Sequence, residues 1–168
     1  MHIVSRCVWQ HAIITQYVQD IAKVTPHHTA LGITKTIHVK TATSRGPELV
    51  AAGGSHVSKV GDELVVRLVI RNDRAMSFAR VRDERGAGCE PVQVISGHRY
   101  QDGTRYYQST GDITTDFFFD FLPKGTFVIE YSLKIQLRGR YESGVGSITS
   151  MYAPEFTSHS DSIRLSVK

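Results

Sequence analysis

Alternation of apolar and polar residues dominates this sequence from about residue 31 to its end, and predicts an all-β protein: an antiparallel β-sandwich with a short N-terminal extension. Two further observations support that class. Explicit turn formers separate the alternating runs, and no helical period intervenes between them. The 168 residues, 40% hydrophobic and 21% charged, suffice for one well-buried domain and are too few for two large ones.

Residues 1–30 form the extension, and 31–168 the sandwich. Within the extension, Tyr17, Val18, Ile21 and Val24 fall at spacings that one helix face can collect, and Thr25-Pro26 would stop such a helix. A strand is also compatible with them. Thr25-Pro26-His27-His28-Thr29 reads as a polar joint to the sandwich.

In the sandwich, Ile33, Ile37 and Val39 alternate with Thr34, Thr36, His38 and Lys40, and Leu64, Val66, Leu68 and Ile70 repeat the pattern. The cleanest strand runs from Gly125 to Leu137. There Phe127, Ile129, Tyr131, Leu133, Ile135 and Leu137 share one face, opposite Glu130, Ser132, Lys134 and Gln136. Ile163, Leu165 and Val167 close the chain in the same way. Shorter strands are predicted at Ser77 to Asp83, Thr115 to Phe121 and Ser147 to Tyr152, with Phe117, Phe119 and Phe121 pointing together and Phe118 opposed. Turns fall at Ser44-Arg45-Gly46-Pro47, Lys59-Val60-Gly61-Asp62, Arg85-Gly86-Ala87-Gly88, Gln101-Asp102-Gly103 and Leu122-Pro123-Lys124-Gly125.

Chemistry-bearing patterns are few. Twenty Lys and Arg against sixteen Asp and Glu leave a net charge of +4, and the densest basic stretch, Arg67 to Arg85, is interleaved with Asp73, Asp83 and Glu84. That is a solvated strand surface rather than a nucleic-acid footprint. No run of 18 apolar residues spans a membrane, and Gln10, His11, Thr15 and Gln16 interrupt the start, so no secretion signal is readable. Cys7 and Cys89 stand in unrelated contexts and fix no redox compartment. The eight histidines never fall at ligand spacing with Cys, His, Asp or Glu, so no metal and no cofactor is expected. Ser158-His159-Ser160-Asp161 holds the residue types of a hydrolase triad, but neighbours on an extended chain point to opposite faces and cannot act in series. Asp116 and Asp120 straddle the phenylalanines and are expected to solvate an outer face.

The remaining feature is aromatic. Tyr100, Tyr106 and Tyr107 lie in a polar, loop-like region from Gly97 to Asp112. Long loops on sandwiches often carry binding. Alternatively, the adjacent tyrosines start a strand and one of them packs inward.

Several segments resemble the C-terminal macroglobulin-like domain of bacterial alpha-2-macroglobulins, especially the large Bacteroidetes forms. They are Tyr106-Tyr107-Gln108-Ser109-Thr110, Phe117-Phe118-Phe119 followed by Leu122-Pro123-Lys124-Gly125-Thr126, and Met151-Tyr152-Ala153-Pro154-Glu155-Phe156. The likeness extends upstream through Lys59-Val60-Gly61-Asp62 and covers about residues 30–168. It implies an Ig-like or macroglobulin-type sandwich at the end of a much larger, protease-trapping envelope or periplasmic protein. In such proteins bait cleavage triggers rearrangement, and a thioester in another domain can capture the attacker. Gln16-Tyr17 and Lys23-Val24-Thr25 look like the tail of a preceding domain, so residues 1–30 are expected to be a severed boundary.

The family's thioester motif, a Cys one residue before Glu-Gln, is absent, because Cys7 precedes Val-Trp-Gln and Cys89 precedes Glu-Pro-Val. The expected function is therefore non-catalytic, through contacts with neighbouring domains, the thioester domain above all, with proteases as targets of the parent. In relatives an aromatic of the C-terminal domain helps to cover the thioester, and the resemblance assigns that role to Tyr106 or Tyr107. The alternative is a carbohydrate-binding or adhesion sandwich, since exposed aromatics suit sugar stacking as well as protein contact.

Overall fold

The structure, a computed structural model, describes residues 19–44, 46–54 and 56–168. The expectations for Cys7, Tyr17 and Val18 fall outside the described residues. Of the extension, Ile21–Lys23 forms a single 3-10 turn capped by the Asp20 side chain. His27 then makes an antiparallel bridge to His159, and the Thr29 amide donates to Ser158 Oγ.

Fourteen strands follow. The first seven are β1 (Leu31–Thr43), β2 (Gly46–Ala51), β3 (Val57–Ser58), β4 (Glu63–Asn72), β5 (Met76–Glu84), β6 (Cys89–Pro91) and β7 (Gly97–Gln101). The rest are β8 (Thr104–Thr110), β9 (Thr114–Leu122), β10 (Gly125–Ile135), β11 (Gly139–Glu142), β12 (Gly146–Ser150), β13 (Thr157–His159) and β14 (Arg164–Val167). They build a five-stranded sheet in the order β2-β1-β4-β10-β6 and a six-stranded sheet in the order β13-β12-β5-β9-β8-β7. A small sheet, β11-β14-β3, holds the one parallel pair among the described residues, β14 with β3. The rest of the pairing is antiparallel, as the period of two requires.

Alternation decides which residues form the core. Ile33, Ile37 and Val39 of β1, Leu64, Val66, Leu68 and Ile70 of β4, and Ile129, Leu133 and Ile135 of β10 are buried on one sheet. On the other, Ala79 and Val81 of β5, Phe117 and Phe119 of β9, and Ile148 of β12 are buried. Phe127 and Tyr131 pack on this core while partly buried. Val65 and Val69 take the outer face of β4, half-buried.

Three details differ from the sequence reading. Leu137 is exposed rather than inward, because β10 ends at Ile135 and the next amides, Gln136 and Leu137, turn to the Gly88 carbonyl. Phe121 is also exposed, although in phase with Phe117 and Phe119. Next to its partner Ser77, Phe78 adopts a left-handed backbone, φ 56°, and interrupts the β5–β9 ladder between the Ser77–Phe121 and Ala79–Phe119 pairs, and Leu122 takes the inward place. Finally, of the two readings of Gly97 to Asp112, the strand holds and the open loop does not: the segment forms the β7–β8 hairpin, turning at Asp102-Gly103, both with positive φ.

Because β10 is paired on both sides and contributes its inner face to the core, its two faces should respond differently to truncation. Tyr131→Ala is expected to cost about 3–5 kcal/mol in urea unfolding, and Lys134→Ala less than about 0.5 kcal/mol. Equal losses at the two positions would overturn the register.

Candidate functional site

Two groupings of polar and aromatic side chains stand out, one inside the sandwich and one on its outer surface. The inner one centres on Lys35, which is in phase with Ile33 and Ile37 and so points into the core. Its Nζ lies 2.8 Å from Asp83 Oδ1, with side-chain exposures of 1% and 0%. It also donates to the carbonyls of Glu84 at 2.8 Å, Ser143 at 3.0 Å and Gly144 at 3.3 Å. The Tyr131 hydroxyl donates to Asp83 Oδ2. Burial pushes the Asp83 carboxyl above its usual range, against the opposing pull of Lys35 and Tyr131. Burial, reinforced by Asp83, holds the Tyr131 phenol well above its ordinary value, so it stays a donor. The cluster ties β1 and β10 of one sheet to β5 of the other. Sequence reading missed it, although a lysine and an aspartate at inward positions of apolar strands were its signal.

The outer grouping lies on the solvent face of the six-stranded sheet. Pairing places His98, Tyr107, Phe118, Arg80, Thr149 and Thr157 in one row across six strands. His98 and Tyr107 stack edge to face with ring centroids 5.2 Å apart, and the Arg80 guanidinium sits 5.5 Å above the Phe118 ring. Asp116 Oδ1 accepts from Arg80 Nε at 2.9 Å and from Arg82 Nε at 3.0 Å. Desolvation would raise its pKa, but the two arginines outweigh it and hold the carboxyl below its usual range. Asp116 thus pins two arginines to the face, where sequence reading expected only a solvated carboxylate.

At the next register position, Phe78 packs edge to face on Tyr152 at 5.2 Å, and the Met151 amide donates to the Phe78 carbonyl at 2.9 Å. Tyr152 is 79% exposed, and Met151 is exposed beside it. A phenylalanine in a left-handed backbone, φ 56°, costs about 1–3 kcal/mol. The Met-Tyr pair was expected at the end of a strand, but β12 ends at Ser150 and leaves both residues outside it.

The sequence-predicted tyrosines separate. Tyr106 is buried against Phe117 and Phe119, ring centroids 5.6 Å away in each case, and its hydroxyl donates to Gln101 Oε1 at 3.0 Å. Burial raises its pKa. It is a core residue and cannot reach a partner, because β8 alternates and Tyr106 faces inward. Tyr107 faces outward, 40% exposed. In the Ser158-His159-Ser160-Asp161 run, Ser158 is buried with its hydroxyl on the Leu31 carbonyl, and His159 Nδ1 lies by the Ser160 carbonyl. These groups do not bond in series. Among the described residues, no group of three or more His, Cys, Asp or Glu is placed to hold a metal. Among them, too, no helix is long and apolar enough to cross a membrane.

The nearly all-β architecture, two packed antiparallel sheets with a small third one, is consistent with a macroglobulin-type β-sandwich. Residues 31–155 match the family model of the bacterial alpha-2-macroglobulin MG10 domain, and the chain belongs to that family. No curated protein matches the sequence. The fold is similar to Salmonella alpha-2-macroglobulin reacted with methylamine, at 18% identity and a TM-score of 0.66, covering 86% of this chain and 10% of that one. It is also similar to native Escherichia coli alpha-2-macroglobulin from domain MG7 to the C-terminus, at 16% identity and a TM-score of 0.67, covering 90% of this chain and 25% of that one. At these identities the likeness is one of fold. The chain spans between a tenth and a quarter of the length of these relatives.

The split between the tyrosines sets a direct expectation. Tyr106→Ala should lower stability by about 3–5 kcal/mol and Tyr107→Ala by less than about 1 kcal/mol, measured by denaturant unfolding of the chain. Similar losses from both would place Tyr107 in the core and remove it from the face.

Proposed function

We propose that the chain is a non-catalytic MG10 domain, residues 31–168 with residues 1–30 as its extension, inside a larger protease-trapping protein of the bacterial cell envelope or periplasm. It acts by holding neighbouring domains, the thioester domain in particular. The observation that carries this reading is the aromatic outer face of the six-stranded sheet, exposed at Tyr107, Phe78 and Tyr152 and half-buried at Phe118, where Arg80 lies over the ring. A thioester survives only while water is kept from it, and a ring lying flat against it excludes water while a tyrosine hydroxyl stays solvated at the rim. Tyr107 retains the shielding role that the resemblance assigned to the Tyr106-Tyr107 pair. Tyr152, nearly twice as exposed, serves on the same face.

The inner cluster contributes no chemistry in this reading. The Lys35 Nζ is enclosed by three carbonyls and one carboxylate and reaches no solvent or substrate.

In the full-length protein, Tyr107→Ala and Tyr152→Ala should each accelerate methylamine incorporation before any protease is added, with the melting temperature unchanged. Incorporation at the parent rate in both variants and in the double variant would remove shielding from the reading. Protection of the face from chemical labelling in the full-length protein would still leave its role in domain contact.

A further inference from the structure

We propose that the groove beside the β7–β8 turn binds one pyranose ring of a saccharide. This site is separate from the Phe118 row and does not depend on a thioester in the parent.

The groove is preformed. Asp102 Oδ2 accepts from the Val128 amide at 2.8 Å, and Gln101 Oε1 accepts from the Glu130 amide at 3.3 Å and from the Tyr106 hydroxyl at 3.0 Å. These bonds fasten the turn of the six-stranded sheet to β10 of the opposite sheet. The backbone that carries Tyr100 and Thr104 is thereby held in place before a ligand arrives.

Beside the turn lies a groove of about 310 Å³ lined by Tyr100, Thr104, Arg105, Asp120 and Phe121. Tyr100 and Phe121 are 76% and 55% exposed, so two aromatic faces meet water at its walls. Among the described residues, neither Arg105 nor Asp120 has an ion-pair partner within 4.0 Å. Thr104, although buried, carries a hydroxyl without a hydrogen-bond partner.

A pyranose ring matches this set of groups. Its C–H face is apolar and covers an aromatic ring, while its rim offers adjacent hydroxyls that both donate and accept. A carboxylate accepts from two such hydroxyls and a guanidinium donates to a third, each as a charge-assisted bond.

Isothermal titration of the purified chain with maltotetraose, cellotetraose and chitotetraose tests the site. At least one is expected to bind with a Kd below about 1 mM. Tyr100→Ala and Asp120→Asn should each weaken that binding by about tenfold or more with the melting temperature unchanged, while Leu49→Ala on β2 leaves it intact. Asp120 is exposed, so its variant reports on the site even if Tyr100→Ala unfolds the hairpin. Absence of binding by all three up to about 10 mM, or binding indifferent to both groove variants, would overturn the proposal. So would a groove labelled in the isolated chain, protected in the full-length protein, and blind to all three sugars, which would make it a protein contact.

Discussion

The buried ion pair between Lys35 and Asp83 is the constraint to which the rest of the sandwich is fitted. A charge taken out of water is costly unless its hydrogen-bonding capacity is met, and here each partner is met by fixed groups from several elements. Lys35 on β1 reaches across the core to Asp83 on β5. The carbonyls of Glu84, Ser143 and Gly144 surround its ammonium, and Tyr131 of β10 closes the other side of the carboxylate. A single lysine side chain thus spans the core between the two sheets at that end. The segment before β12 must also pass close to β5: Gly144 has φ 72°, and a Cβ there would stand 2.4 Å from that of Glu84. Arg85, next in the chain, reinforces the region by donating to the carbonyls of Gly111, Asp112 and Thr114. The hairpin end of β8–β9 is thereby tied to the same corner.

With the inner face committed to packing and the clamp, only the outer face and the strand ends remain for recognition. The six-stranded sheet carries rings and guanidiniums where a solvated sheet would carry small polar residues. Asp116 holds Arg80 and Arg82 by one oxygen, which keeps Arg80 over Phe118. The left-handed backbone of Phe78 works in the same direction: it interrupts the β5–β9 ladder next to the exposed Phe121 and stacks on Tyr152. One local departure from strand geometry thus feeds both the aromatic face and the groove at the β7–β8 turn.

Much of this was legible in the sequence, and the exceptions have physical causes. The alternation in Leu64 to Ile70 and Ile129 to Ile135 fixed their inward faces, because a strand with one buried side allows only one phase. Tyr106 and Tyr107 had to face opposite ways once β8 was a strand, but which of them pointed inward depended on the register with β9. Leu137 and Phe121 carried the right period and were misplaced because strand ends are set by turn hydrogen bonds and by Phe78, neither visible as a period. Lys35 was overlooked because charge outweighed phase. Its place in the alternation predicted burial, and only the folded chain shows the carbonyls and carboxylate that make burial tolerable. The Met151-Tyr152 exposure was hidden for the opposite reason, since β-rich residues at the end of an apolar run read as strand.

The central claim, that the Lys35 clamp rather than generic apolar packing sets the sandwich, is tested most directly by comparing Lys35→Met, Asp83→Leu and the double variant in denaturant unfolding. Buried ion pairs in general can be replaced by apolar pairs at little loss. Here the double variant leaves the Glu84 and Ser143 carbonyls without the Lys35 donor and the Tyr131 hydroxyl without its carboxylate, while Gly144 keeps only Ser143 Oγ, so it should remain at least about 3 kcal/mol less stable than the parent, close to the single variants. A double variant as stable as the parent would contradict the account and make the pair a tolerated passenger of the core.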